Sequence, residues 1–190
     1  MPKGRTRSLT AEAAILDATE ALPDELSPSK ISADLIAQRA GVSKATLYKW
    51  WPSKSYILMD AVLRRASHDI PLPNTGSAAS AFKLLLEGFI RFHLGTAFGA
   101  AVSHLFAEGL DDPELMNIYN TRYPFPRREL LKEIWGRAVE KGEVRRDVDP
   151  DLVLDMLYGP LVYRFFLRHR EISPELAQDI TRVLFTGLNV

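Results

Sequence analysis

Residues 32–54, SADLIAQRAGVSKATLYKWWPSK, have the pattern of two short helices joined by a tight turn. Ser32 and Ser43 are of a type that caps helix N-termini, because their hydroxyls accept hydrogen bonds from free backbone N–H groups. Gly41 suits the sharp turn between the helices, and Pro52 is expected to end the second one. This order of caps, helices and breakers predicts a helix-turn-helix.

The second of these helices has an outer face suited to DNA. Ala37, Val42 and Leu47 are placed to lock it onto the first helix, which leaves small and basic side chains outside. A helix N-terminus carries partial positive charge and free N–H groups, which suit phosphate. A major groove admits one helix, and short side chains such as Ala45 and Thr46 can approach base edges there. The alternative is an ordinary helical hairpin whose lysines face water.

Composition limits the other possibilities. The 190 residues include 24 Lys and Arg against 24 Asp and Glu, so a charged partner must be met by a local patch. There is no cysteine, which excludes disulfides, thiolate zinc sites and cysteine nucleophiles. No signal sequence and no apolar run of membrane-spanning length are seen. We expect a soluble cytoplasmic protein.

Helical periodicity continues along nearly the whole chain, which predicts an all-α fold. The first helix is expected from Thr10 to Leu22, with Pro23 as its stop. The segment IPLPNTGS, residues 70–77, is rich in proline, glycine and serine and is the best internal boundary. Lys3, Arg5 and Arg7 form a basic segment that suits a minor groove or phosphates, and a frayed terminus is the alternative.

The segment 32–54, with Ile15 and Ala18 before it, resembles the tetracycline-repressor (TetR) family of bacterial transcriptional regulators. The resemblance rests on the Gly-Val-Ser turn, Thr-Leu-Tyr in the second helix, the aromatic pair and the following Ser-Lys. It covers about the first third of the chain. Pro23 departs from the usual family pattern in the connection between the first two helices of the chain. Ala33 departs from it beneath the second of these, the helix with the sequence ADLIAQRA.

This resemblance implies the architecture and the partners. An N-terminal three-helix helix-turn-helix DNA-binding domain, residues 1–70, would precede a C-terminal helical ligand-binding and dimerisation domain, residues 71–190. The protein would be a homodimeric repressor, without a cofactor, that leaves a palindromic double-stranded DNA operator when a small effector binds. Carried over position by position, the DNA-binding residues would be Ser32, Ser43, Lys44, Ala45, Thr46, Tyr48, Lys49 and Lys54. Trp50 and Trp51 are expected to pack or to face the DNA backbone.

Aromatic and amphipathic side chains are abundant after residue 80, as an apolar effector pocket would require. A hydrogen-bonding group within an apolar face is the best sign of a ligand contact, and plain core packing is the alternative for each residue. The candidate effector-binding residues are Phe89, His93, His104, Tyr119, Tyr123, Trp135 and Tyr158. The many rings and few charges predict a small apolar or aromatic effector.

The segment from Pro150 to Arg168 is apolar on two sides of a helix, so two surfaces need covering. One stripe can face the core of the chain itself, and the other would remain for a second copy. The predicted dimer-interface residues are Met156, Gly159, Tyr163, Leu184, Phe185 and Leu188. A large monomeric core that uses both stripes is the alternative.

An enzyme is the first alternative class of function, and a helical adaptor that binds only protein is the second. His104 and Glu108 lie one helical turn apart and could supply two metal ligands, with His93 as a third. That would make the protein a helical metalloenzyme or hydrolase. No phosphate-binding loop, nucleophile elbow or established metal motif accompanies these residues, so we expect no catalytic residues.

Overall fold

The computed structural model describes the backbone of residues 3–70 and 77–188, and the side chains of residues 9–70 and 77–187. Within these ranges the regular structure is entirely helical, which confirms the all-α prediction. A short 3-10 turn, Pro28–Lys30, accompanies the α-helices. The helices are α1 (Lys3–Glu25), α2 (Ala33–Ala40), α3 (Lys44–Tyr48), α4 (Lys54–Asp69), α5 (Ala78–His93), α6 (Ala97–Gly109), α7 (Pro113–Arg122), α8 (Pro124–Glu140), α9 (Pro150–Leu167) and α10 (Leu176–Leu188).

Helix α1 is longer than the sequence predicted, and the expected stop at Pro23 is wrong. Pro23 lies inside the last turn, and the N–H of Leu26 still donates to the carbonyl of Leu22 at 2.9 Å. A proline this close to a helix end removes only its own hydrogen bond, so the turn can continue. The side chains of the predicted basic arm lie outside the described residues.

The helix-turn-helix forms as its caps predicted. The Ser32 hydroxyl accepts from the N–H of Leu35, and the Ser43 hydroxyl accepts from the N–H of Thr46, each at 3.2 Å. Gly41 follows α2 with a φ of 66°, a left-handed conformation that glycine adopts without steric cost. Local chemistry therefore sets the junction between α2 and α3.

The first of two compact units comprises the chain up to His68 together with Gly95–Tyr119. It contains the helix-turn-helix, most of α4, helix α6 and most of α7. Its fully buried apolar side chains include Ile15, Leu22, Ile36, Leu47 and Ile57. Leu47 is the inward-facing residue of α3, as predicted, and it fixes which face of α3 is exposed.

The second unit comprises Asp69–Leu94 and the chain from Asn120 onward. Its core lies among α5, α8, α9 and α10 and contains three packed rings: Phe82 is 6.5 Å from Trp135 and 5.7 Å from Phe185 between ring centroids. The first crossing between units, after His68, lies close to the boundary predicted near residue 70. The sequence did not predict that residues 95–119 group with the N-terminal helices, and the two-domain division remains a prediction.

No helix in the described parts of the chain is long and apolar enough to cross a membrane.

Candidate DNA-binding and effector sites

Helix α3 presents the predicted DNA-contacting side chains on its outer face. Ser43, Lys44, Ala45 and Lys49 are exposed, and Tyr48 retains 48% of its surface. Because the helix is held from below by its single buried leucine, these side chains are available to a ligand without any rearrangement of the fold. The geometry suits insertion of α3 into a major groove.

Lys44 is already engaged by an acidic neighbour. Its ammonium lies 2.9 Å from a carboxylate oxygen of Asp34, in the first turn of α2. The hydrogen bond to Asp34 raises the pKa of Lys44, so the lysine stays protonated. The exposed pair reduces the net positive charge at the start of α3. No pattern in the sequence pointed to Asp34.

Ser32 and Lys54 have structural partners as well as a predicted role on DNA. The Ser32 hydroxyl caps α2, and the Lys54 ammonium donates to the carbonyl of Ile31 at 3.1 Å. Trp51 is buried, and its indole N–H donates to Asp60 at 2.8 Å, which confirms the expected packing role. These bonds hold the segments on either side of α3 in place.

Two arginines join the helices that support this motif. Arg39 forms a two-pronged pair with Glu25, with both N···O distances at 2.7 Å. Arg64 bonds Glu20 and lies 2.7 Å from Asp17, and the hydrogen bond to Glu20 raises the pKa of Arg64. Helix α1 is thereby linked to α2 and to α4, which gives α3 a fixed support.

Of the two candidate metal ligands on α6, Glu108 accepts a hydrogen bond, whereas His104 Nε2 has no hydrogen-bond partner among the described residues. His104 Nε2 lies 3.1 Å from Glu108, and Glu108 accepts from the hydroxyl of Ser55 at the start of α4. Within the described part of the chain, no group of three His, Cys, Asp or Glu could hold a metal. Tyr119 contacts Phe106 edge to face, with ring centroids 4.9 Å apart. The effector roles of His104 and Tyr119 remain predictions.

The second unit contains an aromatic run built by α5 and α9. The Phe89 ring stacks on His93 with centroids 3.9 Å apart and lies 6.0 Å from Tyr158. Phe165 contacts the other side of His93 at 5.5 Å. Three of the seven candidate effector residues therefore lie side by side. Trp135 is instead packed in the aromatic core, where a ligand role is only a prediction.

His93 is held as a neutral ring with a defined tautomer. Its Nδ1 lies 2.9 Å from the carbonyl of Phe89, and a carbonyl can only accept, so Nδ1 carries the proton. Burial lowers the pKa of His93 from its ordinary 6.5 to about 4. The remaining nitrogen, Nε2, is then an acceptor within an otherwise apolar run.

Tyr123 and Arg127 lie where α8 begins. Tyr123 is the residue before the helix, and the Cζ atom of Arg127 lies 4.6 Å from the centroid of its ring. Arg127 also donates to the carbonyl of Ile70 at 2.6 Å. Burial raises the pKa of Tyr123, and the nearby Arg127 opposes that shift. The sequence offers no sign that distinguishes Arg127 from its neighbour Arg128.

Family models match both parts of the chain. Residues 15–61 match the bacterial regulatory proteins of the tetR family, and residues 72–184 match the tetracyclin repressor-like C-terminal domain. The chain belongs to the TetR family. It is a DNA-binding transcriptional regulator of the helix-turn-helix type, and not an enzyme.

Individual relatives match most of the length of the chain. The HTH-type transcriptional regulator YdeS of Bacillus subtilis strain 168 is 34% identical over 186 residues, covering 98% of this chain and 93% of YdeS. AqdR of Rhodococcus erythropolis is 27% identical over 175 residues, covering 91% and 83%. The crystal structure of the TetR family transcription regulator SCO0332 superposes with a TM-score of 0.81 at 27% identity, covering 93% and 97%.

Helix α9 of this TetR-family chain exposes one of its two apolar stripes. Met156 and Tyr163 retain 54% and 57% of their surface, and Gly159 between them is also exposed. The second stripe, which includes Leu154 and Leu157, is buried. The two-sided pattern thus resolves into a core face and an open face.

Helix α10 differs from the predicted interface. Leu184 and Phe185 are only 7% and 8% exposed and face the core, whereas Val183 is 64% exposed. Among the described side chains of α10, the large apolar one that is exposed is therefore Val183, because the 100° step of a helix turns Leu184 and Phe185 toward the core. The side chain of Leu188 lies outside the described residues.

Proposed function

We propose that this TetR-family protein is a repressor that binds a roughly palindromic operator as a homodimer and leaves it when a small apolar or aromatic effector binds. The exposed outer face of α3 carries the DNA-binding part of this proposal. Basic and short side chains lie together there, on a helix whose N-terminus favours phosphate. Cytoplasmic location is part of the same proposal, since a bacterial operator lies in that compartment.

Dimerisation is supported by the open stripe of α9. Large apolar side chains exposed in a row are costly in a monomer and mark an interaction surface. Gly159 lies in the middle of the stripe and allows the backbone of a second helix to approach. A two-fold axis through this surface would give the dimer two symmetry-related α3 helices, which is why we propose a palindromic operator.

The effector site is supported by the aromatic run of Phe89, His93 and Tyr158. Rings with one neutral acceptor among them suit a ligand that is mainly apolar and carries few polar groups. The same unit holds the proposed dimer stripe on α9, so one helix supplies Tyr158 to the run and Tyr163 to the stripe. Ligand contacts on α9 can thereby act on the arrangement of the dimer.

An aromatic effector is expected to raise the melting temperature of the protein and to release operator DNA. Binding to the folded state alone at a concentration about 100 times Kd should raise Tm by roughly 5–10 °C. Neutral and monoacidic aromatic compounds are screened by differential scanning fluorimetry. Compounds that stabilise the protein are then titrated into its complex with a labelled operator selected from genomic fragments.

A matched pair of variants locates the binding site. Phe89→Leu should reduce the gain in Tm, because its ring belongs to the run, whereas Phe125→Leu should not, since Phe125 is an exposed ring on α8. Stabilisation only by charged sugars, phosphates or zinc would contradict the proposed effector class. Stabilisation by aromatic compounds without any release of DNA would contradict the proposed mode of regulation.

A further inference from the structure

Arg127 has a buried nitrogen that no group among the described residues satisfies. Its Nη2 atom donates to the carbonyl of Ile70, and its guanidinium lies over the Tyr123 ring. Its Nη1 atom is fully buried and has no hydrogen-bond partner. Across residues 9–70 and 77–187, no carboxylate forms an ion pair with Arg127. A buried guanidinium nitrogen without a hydrogen-bond partner is unusual, because burial penalises an unsatisfied polar group.

The neighbouring arginine, Arg128, has its positive charge neutralised by carboxylates. Arg128 lies 2.8 Å from Asp151 and 2.8 Å from Asp155, both on α9, and a third nitrogen bond reaches Asp151 at 3.2 Å. Two adjacent arginines on one helix therefore have opposite environments. Arg128 pairs with two carboxylates, whereas Arg127 forms no ion pair within the described residues.

The surroundings of Arg127 add to the positive potential and connect it to the aromatic run. Helix α8 begins at Pro124, and the residue before it, Tyr123, makes no side-chain capping bond. The partial positive charge of the helix N-terminus therefore adds to that of the guanidinium. On α9, Tyr158 follows Asp155 by one helical turn, and Asp155 lies 2.8 Å from Arg128, the residue next to Arg127, so Tyr158 lies near the start of α8.

Tyr158 joins this cation to the candidate effector site. Its ring is 6.0 Å from Phe89, which in turn stacks on His93. No residue in the described ranges forms a hydrogen bond with the Tyr158 hydroxyl. At one end of the aromatic run, the described residues leave one guanidinium nitrogen and one phenol hydroxyl without a hydrogen-bond partner, and both groups can bind a carboxylate. The other end of the run is apolar.

We propose that Arg127 and the Tyr158 hydroxyl bind the carboxylate of an aromatic acid, whose ring lies along Phe89 and His93. This inference rests on the proposed effector site and narrows its ligand from apolar or aromatic compounds to aromatic monocarboxylates. The acid group would supply the ion pair that the described residues do not give to Arg127.

The test compares 2-naphthoate with 2-naphthamide, which has nearly the same shape and no charge. Isothermal titration of the full-length protein near neutral pH should give binding about tenfold tighter or more for the acid, because a charge-assisted pair is present only there. Arg127→Gln should abolish this preference, and Arg127→Lys should keep part of it. Arg137→Gln removes an exposed arginine from the same helix and should leave the preference unchanged.

Equal affinity for acid and amide, or an unchanged preference in Arg127→Gln, would overturn the inference. Failure of both compounds, and of matched acid and amide pairs built on benzene and biphenyl, would also overturn it. If circular dichroism shows that Arg127→Gln does not fold, the inference is tested with the parent and Arg127→Lys. The parent should prefer the acid to the amide, and Arg127→Lys should show a smaller preference. Should the amide bind as tightly as the acid and release operator DNA, the proposed function stands and only the acid inference fails.

Discussion

Replacing Gly159 with glutamate is expected to convert a dimer into monomers of 21.4 kDa and to weaken operator binding by about 100-fold or more. The glutamate would place a charge in the centre of the apolar stripe on α9, where a partner helix would have to desolvate it. Two linked α3 helices bind one operator far more tightly than either helix alone, so the loss of the dimer should be seen mainly as a loss of DNA affinity.

The fold of each protomer should survive this change. Gly159 is exposed, and a Cβ atom added there meets no atom within 4 Å. Glutamate is also a better helix former than glycine, so α9 itself should not be weakened. A fall in mass with unchanged helical content would therefore report on the interface rather than on unfolding.

Light scattering at micromolar concentration and operator binding by anisotropy measure the two effects. Gly136→Glu is the matched control, because a Cβ atom at Gly136 on α8 also meets nothing and the charge change is the same. This control should remain at twice 21.4 kDa and bind DNA normally. A Gly159→Glu protein that keeps the dimer mass and the operator affinity of the parent would refute the α9 interface.

Acidification is expected to remove about 3 kcal/mol of folding stability through His93 alone. The pKa of His93 is lowered by burial to about 4 in the folded chain, against an ordinary 6.5. The unfolded chain therefore binds the proton more readily. The contribution of neutral His93 to folding stability is fully present above about pH 6.5, and it is lost as the pH falls from there toward about pH 4.

Urea unfolding at several pH values isolates this effect. Between about pH 7 and about pH 5 the parent should lose about 2 kcal/mol that His93→Gln does not lose, since glutamine has no proton to gain there. His68→Gln, which replaces an exposed histidine, should keep the pH dependence of the parent. The same pH dependence in the parent and in His93→Gln would mean that His93 is not held neutral by burial.

The sequence predicted those features that depend on nearby residues. The hydroxyl caps of Ser32 and Ser43 and the left-handed Gly41 each act within one turn of the chain, so their residue types were enough to locate α2 and α3. The prediction that α1 stops at Pro23 was wrong because the effect of a proline depends on its distance from the end of the helix. That distance was not evident, since α1 continues to Glu25.

Features that depend on distant partners could not be predicted. Leu184 and Val183 are both apolar, and only the packing of α10 shows that the leucine is buried and the valine exposed. Likewise, residues 127 and 128 are both arginines, so the sequence does not show which of them is paired with carboxylates. Their difference comes from two aspartates on α9 that reach one guanidinium and not the other.

The contribution of Tyr48 to operator affinity tests the central claim, DNA binding by α3, most directly. Tyr48 is half exposed and Phe125 is a comparably exposed ring in the other unit, so Tyr48→Ala and Phe125→Ala should both melt like the parent. Anisotropy with a genome-derived operator, between ~50 and ~200 mM salt, should show steep weakening for the parent. Tyr48→Ala should bind about tenfold more weakly at each salt concentration and Phe125→Ala should not. Parent-like affinity in both Tyr48→Ala and Lys44→Ala would contradict DNA binding by this face of α3.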